Sequence, residues 1–133
     1  MYNPIHFEQQ DRGQMRELIA RFPLGALVTT GAGGIVANHI PFEVDVETEV
    51  LRGHVARANP VWRETAGSSE VLVIFRGGDG YVSPSWYLSK QDGGGKVVPT
   101  WNYSAVHLYG TIRFVEDPSW LQSLIEQLTE RHE

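Results

Sequence analysis

Three groups of residues have types and spacings that could do chemistry. The first is the corner Gly53-His54-Val55-Ala56-Arg57-Ala58-Asn59-Pro60, where Arg57 follows His54 at the end of an expected strand and opens an expected helical turn. Free N–H groups at a helix start favour a phosphate, and a guanidinium adds a bidentate cation. An arginine in such a place can equally do no more than cap its own loop. The second group is the stretch Pro99-Thr100-Trp101-Asn102-Tyr103-Ser104-Ala105-Val106-His107-Leu108-Tyr109-Gly110. Continued to Phe114 as one strand, it carries Trp101, Tyr103, Ala105, His107 and Tyr109 on one face. Ser104, Val106, Leu108 and Ile112 alternate on the other. One face suits a core; the other, rings with polar tips, suits a planar ligand or another subunit. The third group is His39, His54 and His107, on three different expected strands. They include no His-x-His or His-Glu-x-x-His pair, so a metal centre has little local support.

Trp86, Tyr87, Trp101, Tyr103 and Tyr109 flank the chain's two lysines, Lys90 and Lys96, which sit in one Gly-rich segment. Rings and cations together fit a flat ligand carrying a phosphate, or a subunit interface, and a ligand lying between subunits satisfies both. Hydrolytic chemistry is less well served. Ser83, Ser85, His39, His54 and Asp79 are the right types, but no Gly-x-Ser-x-Gly elbow surrounds either serine.

These groups need elements to hold them. Asp11 to Phe22 reads as a helix, with Asp11 as N-cap, Gln14 at the capping-box position and Pro23 as the stop. Its Met15, Leu18, Ile19 and Phe22 share one face and cover an apolar surface. Leu24–Thr30 and Ile35–Val46 read as strands joined through Gly31-Ala32-Gly33-Gly34, and Val50–Val55 as a third. A helix or pair of turns is expected over Ala56–Glu64, with Pro60 at a first helical position. A short buried strand is expected at Val71–Phe75, and a turn at Arg76–Gly80 leading into Tyr81–Tyr87. Asp117 caps a last helix in which Trp120, Leu121, Leu124, Ile125 and Leu128 repeat at helical spacing. The pattern is mainly β with flanking helices. Tight turns between consecutive strands favour antiparallel pairing, and some six strands favour a small closed barrel over an open sheet with one helical layer.

Bulk properties narrow the classes. A chain of 133 residues without an internal repeat is read as a single domain, 1–133. No apolar run approaches a membrane span and the N-terminus does not open as a secretory signal. The absence of cysteine removes disulfides and thiolate sites, and a cytoplasmic setting is expected. A net charge of −5, with the basic residues spread out, counts against direct nucleic-acid binding.

Three motifs then stand in order: Gly53-His54-Val55-Ala56-Arg57-Ala58-Asn59-Pro60-Val61-Trp62, Tyr81-Val82-Ser83-Pro84-Ser85-Trp86-Tyr87 and Val98-Pro99-Thr100-Trp101-Asn102-Tyr103. With Met1-Tyr2-Asn3-Pro4 and Ala37-Asn38-His39-Ile40-Pro41-Phe42, they make the chain resemble the PaiB-type FMN-binding family, often labelled negative transcriptional regulators. The resemblance implies a six-stranded FMN-binding split barrel related to pyridoxamine-phosphate oxidases, working as a homodimer with FMN at the interface. By that likeness Asn38 and His39 lie along the isoalloxazine, and His54 and Arg57 hold the phosphate. Trp101, Asn102 and Tyr103 close the ring site from the other subunit, and Lys90 and Lys96 are further candidates. Family members usually run further, through a closing strand and a basic segment, so the chain reads as lacking that C-terminal extension. The functions implied are a regulatory flavoprotein acting on transcription indirectly or, as alternatives, an FMN-dependent oxidoreductase or a haem-binding relative.

Overall fold

In the computed structural model, which describes residues 1–65, 70–88 and 96–133, Asp11 starts the first helix as its position predicts. Its Oδ1 accepts from the backbone N–H of Gly13 at 2.7 Å and of Gln14 at 3.3 Å, and α1 runs Arg12–Arg21. Gln14 does not complete a capping box. Gln9 takes that part, its Oε1 accepting from the Asp11 N–H at 2.8 Å while Gln14 Oε1 accepts from Gln9 Nε2. Ile19 is buried, and Met15 and Leu18 pack beside it on the sheet.

Among the described residues five strands follow: β1 (Leu24–Gly31), β2 (Gly34–Asp45), β3 (Val50–Gly53), β4 (Glu70–Val82) and β5 (Thr100–Thr111). The β1–β2 hairpin closes on the pair Gly31↔Gly34, leaving Ala32 and Gly33 as a two-residue turn. Gly34 there has φ of 101°, a conformation side chains rarely adopt. The sheet is antiparallel, in the order β3-β2-β1-β4-β5.

This is an open sheet, and the expected closed barrel of some six strands is corrected on two counts. Val71–Phe75 and the start of Tyr81–Tyr87 are one long strand, β4. The glycine-rich Arg76–Gly80 is a bulge between Arg76↔Ala105 and Asp79↔Tyr103 instead of a turn. Gly77 is there because the chain passes close to its neighbour: a Cβ on it would stand 2.3 Å from Ser104 Oγ. The edges β3 and β5 then lie at opposite ends of the strand order, and β3 is only four residues long.

Alternation divides the sheet into two faces. Leu27, Ile40, Phe42, Val71, Val73, Phe75 and Val106 form the core with Ile19 of α1. The Phe42 and Phe75 rings meet edge-on, with centroids 5.8 Å apart. The other face carries Ala26, Val28, His39, Leu72, Ile74, His107 and Tyr109, in register across β2, β1, β4 and β5. The second helix, α2 (Val61–Glu64), is short. Pro60 is its N-cap and not its first residue, and Arg57-Ala58 ahead of it form a plain turn.

The last helix, α3 (Pro118–His132), is capped by Asp117, whose Oδ1 accepts from Trp120 N at 3.0 Å. Leu124 and Leu128 are buried as its spacing predicts, whereas Leu121 and Ile125 stay exposed. Arg131 fastens its end, donating to Glu43 Oε2 of β2 at 2.8 Å and to the Ala20 carbonyl of α1 at 3.0 Å. No helix among the described residues is long and apolar enough to cross a membrane.

Candidate functional site

The His54–Arg57 corner is a turn that folds back over β2. Asn59 holds it there: its Nδ2 donates to Asn38 Oδ1 at 2.9 Å, and its Oδ1 accepts the Val61 N–H at 3.0 Å. Asn59 N also closes onto the Ala56 carbonyl at 2.9 Å. Arg57 projects from this turn and is exposed. Its guanidinium lies 5.3 Å from the centroid of the Trp62 ring, and Trp62 Nε1 donates to the Arg57 carbonyl at 3.1 Å. Arg63 approaches the same ring at 5.1 Å, so Trp62 has two cations about it. Arg57 also pairs with Glu116, in the connection between β5 and α3.

Asn38 and His39, expected along the same ligand, point to opposite faces because they are neighbours on a regular strand. Asn38 pairs with Leu27 on the core side, His39 with Ala26 on the outer side. The Asn38 Nδ2 is buried and has no hydrogen-bond partner, a donor left over after Asn59 takes the oxygen. It belongs to the lining of a small cleft, about 20 Å³ in volume, between the β1–β2 turn and α2, with Thr29, Val36, Pro60, Glu64 and Thr65. That is room for about one water molecule and far below the size of a pocket enclosing a cofactor.

The ring stretch lies elsewhere. Trp101 and Tyr103 are exposed on β5, and Tyr81, directly across on β4, meets Trp101 edge-on at 5.9 Å. Asn102 points to the opposite side of the strand from these two rings. From Asn38, three strand spacings (about 14 Å) lead across to β5, and Tyr103 is then five residues (about 17 Å) further along than Leu108, the residue in register with Val73 and Leu27. The corner and the rings therefore sit at opposite edges and opposite ends of one sheet. Lys96 is exposed; Lys90 lies outside the described residues. His39, His54 and His107 do not come together: among the described residues no three His, Asp or Glu could hold a metal ion.

Sequence reasoning missed two residues of the corner's scaffold. Glu116 is 59 positions from Arg57, beyond any local pattern. Asn59 reads as a helix-start residue, and its bond to Asn38 becomes visible only when the turn is folded onto β2.

An open antiparallel sheet with a cationic turn at one edge and exposed rings at the other defines a small ligand-binding β protein. The chain belongs to the family described as "Putative FMN-binding domain", whose model matches residues 1–133, and FMN is its cofactor. It is 35% identical over 131 residues to the Bacillus subtilis protease synthase and sporulation protein PAI 2, covering 97% of this chain and 58% of that protein. An uncharacterized Saccharomyces cerevisiae protein is 34% identical over 155 residues, covering 100% of this chain and 90% of its own. An Emericella nidulans protein is 37% identical, covering 97% of this chain and 64% of its own. The chain thus spans little more than half the length of the Bacillus relative.

Two observations fit FMN to these residues. A buried, unpartnered donor at Asn38 lines a cleft next to the turn that carries Arg57, and that guanidinium is exposed and suited to a phosphate. When bound, the flavin supplies one- and two-electron redox chemistry.

Proposed function

We propose that this chain is the FMN-binding domain of a regulatory flavoprotein of the PaiB type, working as a homodimer. His54 and Arg57 of one protomer hold the FMN phosphate, and Asn38, whose Nδ2 is left without a partner, stands beside the cofactor. Trp101 and Tyr103 of the partner close the ring site, and Lys96 is a further candidate. The observation that carries this reading is the separation of the corner from the rings. One sheet holds them roughly 14 Å apart across the strands and 17 Å along them, so a single ligand meets both when a second copy brings its own rings to the corner. The outer sheet face supports the same arrangement. Tyr109 at 62% exposure, Trp101 at 58% and Ile35 at 79% make a poor match for water and a good one for a second copy.

The protein's own groups bind, orient and shield. Arg57 offers a fork of donors to a phosphate, with the Trp62 ring beside its guanidinium. The rings of Trp101 and Tyr103 exclude water from a flat ligand.

The Bacillus subtilis relative is named for protease synthesis and sporulation, which supports a controlling role. With a net charge of −5, that control is proposed to act through a partner and not by gripping DNA. A visible spectrum of the fresh protein, its mass in solution and FMN titration by fluorescence quenching test the reading together. The expected result is a dimer that quenches FMN stoichiometrically. A well-folded dimer that binds no flavin contradicts it.

A further inference from the structure

The guanidinium that we assign to the phosphate is already occupied. Arg57 Nη1 donates to Glu116 Oε1, and the pair is open to solvent, with side chains 72% and 62% exposed. Glu116 is well anchored for this. The next residue, Asp117, caps α3, and the far end of α3 is fastened by Arg131 to Glu43 and Ala20. Arg57 is held from its other side by the Trp62 ring. The arginine is thus prearranged between an aromatic face and a carboxylate.

A carboxylate and a phosphate seek the same donor edge of a guanidinium, and two anions there repel each other. An exposed ion pair of this kind is worth at most about 1 kcal/mol, so a dianionic phosphate ester displaces it while a singly charged anion gains little. We infer that Glu116 is a built-in competitor for the anion seat of Arg57, one that sets FMN affinity and selects doubly charged phosphates. This inference rests on the reading of Arg57 as the phosphate-holding residue.

Binding of FMN and of riboflavin to wild type, Glu116→Gln and Arg57→Ala, each first shown to melt cooperatively, tests it. Removing the competing charge is expected to tighten FMN about three- to five-fold and to leave riboflavin unchanged. Inorganic phosphate is expected to compete with FMN at lower concentration in Glu116→Gln than in wild type. If Arg57→Ala loses FMN selectively but Glu116→Gln binds FMN no more tightly than wild type, the competitor role is overturned and the phosphate assignment stands. If Arg57→Ala affects FMN and riboflavin alike, the phosphate assignment itself fails and the competitor role fails with it.

Discussion

Asn59 Nδ2 donates to Asn38 Oδ1 at 2.9 Å, and this one bond ties the turn carrying Arg57 to the middle of β2. Through its oxygen the same side chain accepts the N–H of Val61, the first residue of α2, so Asn59 faces two ways and satisfies both. Asn59→Ala strips Asn38 of its remaining partner, adding a second orphan to the buried Nδ2, and removes the Val61 contact. The expected loss is about 1–3 kcal/mol of stability, read from the denaturant midpoint. FMN affinity should fall as well, because the loop that aims Arg57 is no longer fastened. Unchanged stability would show that the turn is held by other contacts.

Gly25 is a tight point of the core. A Cβ built on it would stand 2.8 Å from Phe75 Cε1 and 3.0 Å from both Phe42 and Val73. Aromatic rings cannot withdraw as a lysine tip can, so Gly25→Ala is expected to destabilise by about 1–3 kcal/mol. Adding Phe75→Leu makes room, and the double variant should be more stable than the sum of the two single losses predicts. Thermal melts of the four proteins in this cycle check the coupling; strict additivity would refute the crowding.

The β2–β3 turn has an acid-sensitive clasp. Glu49, in a left-handed conformation with φ of 56°, accepts from Arg12 Nη1 at 2.9 Å and from Arg16 Nη2 at 2.7 Å. The hydrogen bond from Arg12 holds its carboxyl below the usual value of 4.5, and the backbone N–H of Thr48 holds that of Asp45 below its own usual 3.8. A carboxylate depressed on folding stabilises above its unfolded pKa, and that contribution is lost as pH falls through the lower folded value. Glu49→Gln should therefore melt below wild type near pH 7, and the two curves should converge as pH falls below 4.5. A gap that persists or widens in acid would contradict this.

Much of the fold was legible because local rules agreed with the tertiary answer. Asp11 and Asp117 cap the helices they were expected to cap, and the glycines at 31 to 34 turn where two β-rich runs need a hairpin. The misreadings came where one residue type serves two ends. Gly77-Gly78-Asp79-Gly80 has the composition of a turn, yet Gly77 is small because β5 and α1 press on it, and the strand carries on through a bulge. That merger lowered the strand count to five among the described residues. The candidate site was legible as residue types and not as a place. Nothing in a linear spacing says that Arg57 and Trp101 lie at opposite corners, or that Glu116 reaches Arg57 from the far side of β5.

Tyr109 is exposed and in register with Leu72 and Val28 on the outer face. If that face meets a second copy, Tyr109→Glu buries an unpaired charge at the contact, a penalty of several kcal/mol that a dimer of ordinary size cannot absorb. Sedimentation should then show a folded monomer in place of a dimer. A variant that remains dimeric at micromolar concentration would place the interface elsewhere.

The central claim, one flavin held by the corner of one protomer and the rings of another, is tested most directly by mixing two defective proteins. Arg57→Ala and Trp101→Ala should each bind FMN weakly. In a symmetric dimer unfolded and refolded as an equal mixture, half of the molecules are mixed, and each mixed dimer carries one site with both groups intact. Titration should recover wild-type affinity at about a quarter of all sites, saturating with FMN at that fraction. If no tight sites return although both variants and their mixture are folded dimers, Arg57 and Trp101 do not meet across the interface and the shared site is wrong.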